Sequence, residues 1–248
     1  MGRVRSDSAR CTAWLVTAAG TLLTALVACG SPDGATRASE PEGRAGQSGT
    51  AGRDPHRVPG IGPELRRRIP AGSGQVVAVY GDGRNSADST VVLYTRHGEA
   101  WRRVRDWPAH NGRKGWTTDH RSGDRRSPVG VYTLTDAGGV LDDPGTELPY
   151  AWDRSFAAPR WWAKPYWHDF DYVIAIDYNR VRGAPPNDPR RPEGEGKGGS
   201  IWLHMDHGSG TSGCVSVSRQ AMEFLLRELD PDRHPVVVMG DRADLMRQ

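Results

Sequence analysis

From residue 75 onward the apolar residues come in short blocks of four to six, many β-branched, separated by Gly, Asp, Asn or Pro. That pattern predicts strands. They are expected over 75–80, 90–95, 100–104, 129–134, 172–177, 200–204 and 235–239, with a turn at His97 and Gly98 joining the second to the third. One segment has a strong helical period. Met222, Leu225, Leu226 and Leu229 stand at i, i+3, i+4 and i+7, and the Ser218 hydroxyl is placed to cap the first turn, giving a helix over 218–229. A shorter helix is expected over 63–69, opened by Pro63. The pattern describes one α+β, mainly β domain over 58–248, a mixed β-sandwich or partly closed barrel with a helix after Cys214.

Before that domain the pattern is different. Arg3, Arg5 and Arg10 precede an apolar run from Cys11 to Val27, too short and interrupted to span a membrane. The run ends in Leu26-Val27-Ala28-Cys29, which resembles a bacterial lipobox. The resemblance implies a lipoprotein signal peptide over 1–28, cleavage before Cys29 and lipidation of its thiol. An ordinary signal peptide with an incidental Cys29 is the rival reading, and both mean export. Residues 29–57 are rich in Gly, Ser, Ala, Arg, Glu and Pro and read as a disordered tether. The expected location is the outer face of the cytoplasmic membrane, at the cell wall, with the lipid as the membrane contact.

Charge narrows the function classes. Lys and Arg number 33 and Asp and Glu 30, a net +3, of which the leader supplies three Arg less Asp7, or +2. The domain is close to neutral, so no nucleic-acid surface is expected. The 58–65 run looks like a DNA-binding hairpin but has no second copy, and an exported chain meets no chromosome.

The cysteines point to chemistry. With Cys11 in the leader and Cys29 lipidated, Cys214 has no partner for an internal disulfide. A lone thiol in an exported domain needs a reason. The strand over 200–204 delivers His204, and a loop rich in Gly and Ser leads ten residues on to Cys214, just before the capped helix. Cysteine catalysis needs a thiol, a base within reach and donors for a tetrahedral oxyanion. His204 can supply the base, and Gly213 lets backbone N–H groups converge. His207 is the rival base. On an extended strand i and i+3 face opposite ways, so only one of the two histidines is expected to face Cys214, with Asp206 or Met205 orienting it. The same argument speaks against a zinc site. A thiol paired with an imidazole can have its pKa depressed to roughly 3–4, so Cys214 is expected to react well below ~8.5. His110, His120, His168 and His234 read as ordinary polar residues. Aromatic residues crowd 150–172, for packing or for stacking on a ligand, and the long loop over 183–199 is functional or mobile.

The block Ile201-Trp202-Leu203-His204, followed by Thr211-Ser212-Gly213-Cys214-Val215-Ser216-Val217, resembles the active-site signature of the L,D-transpeptidases, the YkuD-like family. The segments 115–117 and 126–131 are similar to its supporting turn and strand. The resemblance implies Cys214 as nucleophile, His204 as base, the Met205 carbonyl as third member, and Gly213 and Cys214 N–H groups in the oxyanion hole, with Ser212 and Thr211 near the substrate. Two departures stand out. The family's His two before the Cys is Ser212, and its Arg two after is Ser216. The implied activity is 3→3 cross-linking of peptidoglycan stem peptides through a Cys acyl-enzyme, by a monomer, with no metal and no organic cofactor. Rivals are a cysteine L,D-carboxypeptidase on the same peptides and a wall-binding lipoprotein whose site has decayed.

Overall fold

The structure, a computed structural model, describes residues 54–248, so the signal peptide, Cys29 and most of the expected tether lie outside the described residues. Contacts begin slightly before the expected domain boundary at 58. The Pro55 carbonyl accepts from Trp101 N–H at 2.7 Å.

Helix α1 (Pro63–Arg68) precedes strands β1 (Gln75–Gly81), β2 (Asp88–His97) and β3 (Ala100–His110). Short strands follow: β4 (Trp116–Thr117), β5 (Ser127–Pro128), β6 (Gly130–Thr133), β7 (Ala137–Gly139), β8 (Tyr150–Trp152) and β9 (Val173–Ala175). Strands β10 (Trp202–Met205) and β11 (Val215–Val217) lead into helix α2 (Arg219–Glu228), then β12 (Val236–Asp241) and α3 (Arg242–Arg247). Ten strands form one mixed sheet in the order β6-β12-β1-β2-β3-β11-β10-β9-β7-β8, and β4 pairs with β5 apart from it. The domain is thus mainly β with few helices, as the pattern predicts. Beyond the edge strand β6, the Thr133 carbonyl accepts from Asp177 N–H at 3.0 Å, which brings β6 to the chain just past β9. Among the described residues no helix is long and apolar enough to cross a membrane.

Each expected strand is present, and α2 is capped by Ser218, whose hydroxyl accepts from Ala221 N–H. The predicted face of α2 is buried: Met222, Leu225, Leu226 and Leu229 sit in the larger apolar core with Val77, Leu93, Ile174 and Leu203. A smaller core lies on the other side of β1 and β12, where Val76, Ala78, Val236 and Val238 meet Leu65 of α1 and Leu245 of α3. Alternation along β1 feeds both cores. The two helices are clasped by backbone bonds, Gly62 N–H to the Leu245 carbonyl (2.7 Å) and Leu65 N–H to that of Gln248 (2.9 Å). Strands β4, β5, β7 and β8 are two or three residues long, and β7 is Ala137-Gly138-Gly139. So few residues, with no β-branched side chain in β7, leave no period to read.

The long 183–199 loop is tied down rather than free. The buried Arg180 guanidinium pairs with Asp177 and, at 2.9 Å, with Asp136. Asn179 donates to the Gly194 and Gly198 carbonyls at 3.0 and 2.6 Å. Its far end delivers Ser200 to the site described next.

Candidate active site

Strands β10 and β11 run parallel, with Leu203 abreast of Val215 and His204 abreast of Ser216. One step back in the same register sets Cys214 beside Trp202. Alternate residues of a strand share a face, so Trp202, His204, Cys214 and Ser216 fall on one side of the sheet. The connecting residues 206–214 are pinned from below. Thr211 exchanges backbone bonds with Asn111 and Arg113 (both 2.9 Å). The Ser127 hydroxyl accepts from Gly112 N–H at 2.9 Å and donates to the Gly213 carbonyl at 2.7 Å. Gly213 is required where it stands: its φ is +150°, and a Cβ there would come within 3.1 Å of the Arg126 carbonyl oxygen.

The result is a cleft of about 480 Å³ that holds His204, His207 and Cys214 together. Its walls are Trp162, Tyr166, Phe170 and Trp202, with Arg113 and Asp169 also facing it. Part of the aromatic segment therefore lines the site, while Trp161 is 84% exposed and Phe156 is core. His204 is buried, with its Nδ1 2.7 Å from the Met205 carbonyl oxygen, so Nδ1 carries the proton and Nε2 has the free lone pair. Phe170 packs edge-on to the ring, 5.3 Å between centroids. Burial pushes His204 below the ordinary histidine range, so it is neutral near pH 7.

The thiol corrects one expectation. Cys214 Sγ receives Trp202 N–H at 3.4 Å and donates to the Ser200 carbonyl at 3.4 Å. Burial pushes its pKa up to about 11; the Asp169 charge adds to that push and the Trp202 N–H opposes it. The resting pair is therefore neutral thiol and neutral imidazole, not the depressed thiolate expected from paired thiols. The physical reason is that a single N–H faces the sulfur, in a largely apolar cleft.

A second correction concerns the two histidines. They do not face opposite ways. Strand β10 stops at Met205 and the chain turns, so His207 folds back over His204 with ring centroids 6.4 Å apart and planes 12° from parallel. The His207 ring sits 4.4 Å from that of Tyr166. Its Nδ1 lies 3.0 Å from Asp169 Oδ2, off the line of an aligned hydrogen bond. Burial alone would lower its pKa, but the Asp169 carboxylate outweighs it and the net shift is upward. The zinc argument from opposite faces lapses with its premise. Among the described residues no group of His, Cys, Asp and Glu is arranged to hold a metal ion.

The candidate oxyanion donors divide. Gly213 N–H is taken by Thr211 Oγ1 at 3.1 Å, and that hydroxyl donates to the Cys214 carbonyl at 2.7 Å. Thr211 is thus a brace for the loop, and the donor left for an oxyanion is Cys214 N–H. Ser212 is exposed at the cleft mouth. Ser216 is fully buried and donates to Asp206 Oδ1 at 2.7 Å, the oxygen that also meets His110 Nδ1 at 2.8 Å. Asp206 therefore anchors the turn rather than orienting His204. Sequence reasoning did not find Ser200, Asp169 or His120 near the site. Ser200 has a left-handed φ of 52° and gives its carbonyl to the thiol, a placement no local motif announces.

The sequence pattern of the L,D-transpeptidase catalytic domain (YkuD) matches residues 84–238, more than half of the chain. No curated protein matches. Two solved structures overlap it in part. One is Bd1075 of Bdellovibrio bacteriovorus, at 18% identity and TM-score 0.38, covering 71% of this chain and 55% of that one. The other is the helical cell shape determining protein Pgp2 of Campylobacter jejuni, at 16% identity and TM-score 0.38, covering 67% and 47%. The chain spans about half the length of each.

Proposed function

Because the chain belongs to the L,D-transpeptidase catalytic domain family, a family of peptidoglycan enzymes, we propose that it forms 3→3 cross-links between stem peptides through an acyl-enzyme on Cys214. The observation that carries this reading is the shared cleft. Cys214 and His204 open into one aromatic-walled space, and His204 Nδ1 is tied to Met205 so that Nε2 is the free base.

A neutral pair sets the order of events. Substrate enters between the aromatic rings, and Arg113, which has no carboxylate partner among the described residues, is available to an anionic group on it. As the sulfur attacks the peptide carbonyl, His204 Nε2 takes the thiol proton, in the manner of general-base catalysis. The oxyanion forms against Cys214 N–H, a type of donor worth roughly 3–4 kcal/mol. The C–N bond then breaks, and the departing amine takes the proton from His204. The thioester passes its acyl group to an amine of a second stem. Transfer of the acyl group to water instead, an L,D-carboxypeptidase reaction, is the second reading, favoured by the open cleft around a half-buried Cys214.

We place the enzyme outside the cytoplasmic membrane, anchored through a lipid on Cys29, on the strength of the Leu26-Val27-Ala28-Cys29 run. One experiment tests both proposals: mass spectrometry of the full chain from a membrane fraction, before and after incubation with a defined tetrapeptide stem. The expected masses are a lipid on the N-terminal Cys29, an acyl adduct on Cys214 absent from Cys214→Ala, and cross-linked dimers. Tripeptide without dimers would favour hydrolysis. No adduct and no product would leave a decayed wall-binding protein, and unlipidated protein released to the medium would overturn the anchor.

A further inference from the structure

Cys214 is open on two sides. Behind it lies a second cavity of about 350 Å³, which shares Ser200, Ser212 and Cys214 with the aromatic cleft and is otherwise different in kind. It is more polar than the aromatic cleft and rich in glycine, and its backbone is unusual. Gly123, Arg125, Gly198, Ser200 and Gly213 all have positive φ, and two of these are not glycine. Strained backbone of this sort persists only where surroundings hold it, and it gathers at functional sites.

One imidazole lines this cavity that the acylation step does not use. The His120 side chain is 4% exposed, and its Nδ1 lies 3.0 Å from Asp124 Oδ1, close enough for charge attraction but, like His207 and Asp169, off the line of an aligned hydrogen bond. Asp124 is itself fixed, its two oxygens accepting from Arg126 N–H (2.8 Å) and Arg121 N–H (2.9 Å). The other edge of the ring faces inward. A Cβ added at Gly198 would sit 3.1 Å from Nε2, and one added at Gly213 would sit 3.4 Å from Cε1. The imidazole therefore lies against the residue that precedes the nucleophile, with its Nε2 edge towards Gly198 in the wall of this cavity. A carboxylate held by backbone, an imidazole beside it and an Nε2 edge at a cavity wall are the parts of a general base.

We propose that His120 is the base of the second half-reaction, taking a proton from a primary amine that reaches acyl-Cys214 through this cavity. The proposal rests on the acyl-transfer reading above and divides the labour of that site: His204 serves thioester formation from the aromatic side, and His120 serves aminolysis from the polar side. In that step the amine nitrogen bonds to the thioester carbonyl carbon and the C–S bond breaks. His120 Nε2 removes one proton from the nitrogen and later releases it to solvent, while the departing sulfur takes up one proton and returns to the thiol. Burial holds His120 below the ordinary histidine range, so it is neutral and able to accept at pH 7.

The test uses the full chain with a tetrapeptide donor and glycinamide as the probe amine, following acyl-enzyme by quenched intact mass and amide by chromatography. His120→Gln is expected to leave the acylation rate within about threefold while cutting aminolysis at least ~100-fold, so that acyl-enzyme accumulates. Asp124→Asn keeps the imidazole but removes the carboxylate charge beside it, and should give a smaller loss confined to the same step; it also serves if His120→Gln does not fold. Unchanged aminolysis in a folded His120→Gln overturns the proposal. So does a parallel fall in acylation and aminolysis, which would mean that the ring only shapes the nucleophile loop. A wild-type chain that never acylates overturns the acyl-transfer reading itself, an outcome distinct from both.

Discussion

The two ends of the sheet are built by different rules. Strands β12, β1 and β2 are six to ten residues long, and β1 and β12 are buried at every position. Their Val and Leu side chains feed an apolar core on each face. Strands β9, β10 and β11 are three or four residues long, and across β10, β11 and β3 runs a polar row of His204, Ser216 and His110. The long end is held by area removed from water. The short end shares the larger core through Ile174, Leu203, Val215 and Val217, and adds a few hydrogen bonds that satisfy one another, in which each lost partner strands a buried group. A fold can thus put its tolerance for substitution in one place and its geometric demands in another.

Three comparisons would break or sharpen this contrast. The largest effect is expected at His204. His204→Ala should slow acylation of Cys214 by about 10²–10⁴-fold, whereas His207→Ala should leave much of it. The reverse order would move the base to His207. Next come Leu93, fully buried at the long end, and Ser127, on β5 outside the main sheet but bonded to the loop that enters β11 at the short end. Leu93→Ala should cost about 2–5 kcal/mol in denaturant unfolding with acylation per folded molecule unchanged. Ser127→Ala should cost only about 1–3 kcal/mol yet slow acylation, because Gly112 N–H and the Gly213 carbonyl lose their shared partner. Equal rate losses from both would dissolve the distinction. The smallest effect is a pH dependence. With its pKa pushed up to about 11, the resting thiol is neutral below that value and its thiolate fraction grows as pH rises. Iodoacetamide labelling of Cys214 should therefore climb roughly tenfold per pH unit from 7 to 9. A plateau already reached below pH 7 would establish a preformed thiolate beside an imidazolium.

How far the sequence could be read follows the same division. The long end was legible because runs such as 75–80 and 235–239 leave no choice but buried strand, and the Met222 to Leu229 period fixed the face of α2. Cys214 and His204 were legible from the block that carries them. The facing of His207 was not, because it hangs on where β10 stops, and a strand end depends on the turn beyond it. Nor was the loss of Gly213 N–H to Thr211, or the arrival of His120 from a loop more than ninety residues before Cys214. Those are tertiary facts, set by which loops meet, and no local period encodes them.

The clasp between α1 and α3 has a mechanical consequence. Any pull arriving through the chain before Asp54 enters at Pro55 and Gly62, where backbone bonds to Trp101 and Leu245 take up the load. Behind them stand β1 and β12, paired in parallel over six consecutive positions, so that a force along the strands stretches their hydrogen bonds together rather than one after another. From β1, strands β2, β3 and β11 intervene before β10 and its His204. Tension is received where the sheet's long parallel pair stands, several strands along the sheet from the groups whose spacing matters most.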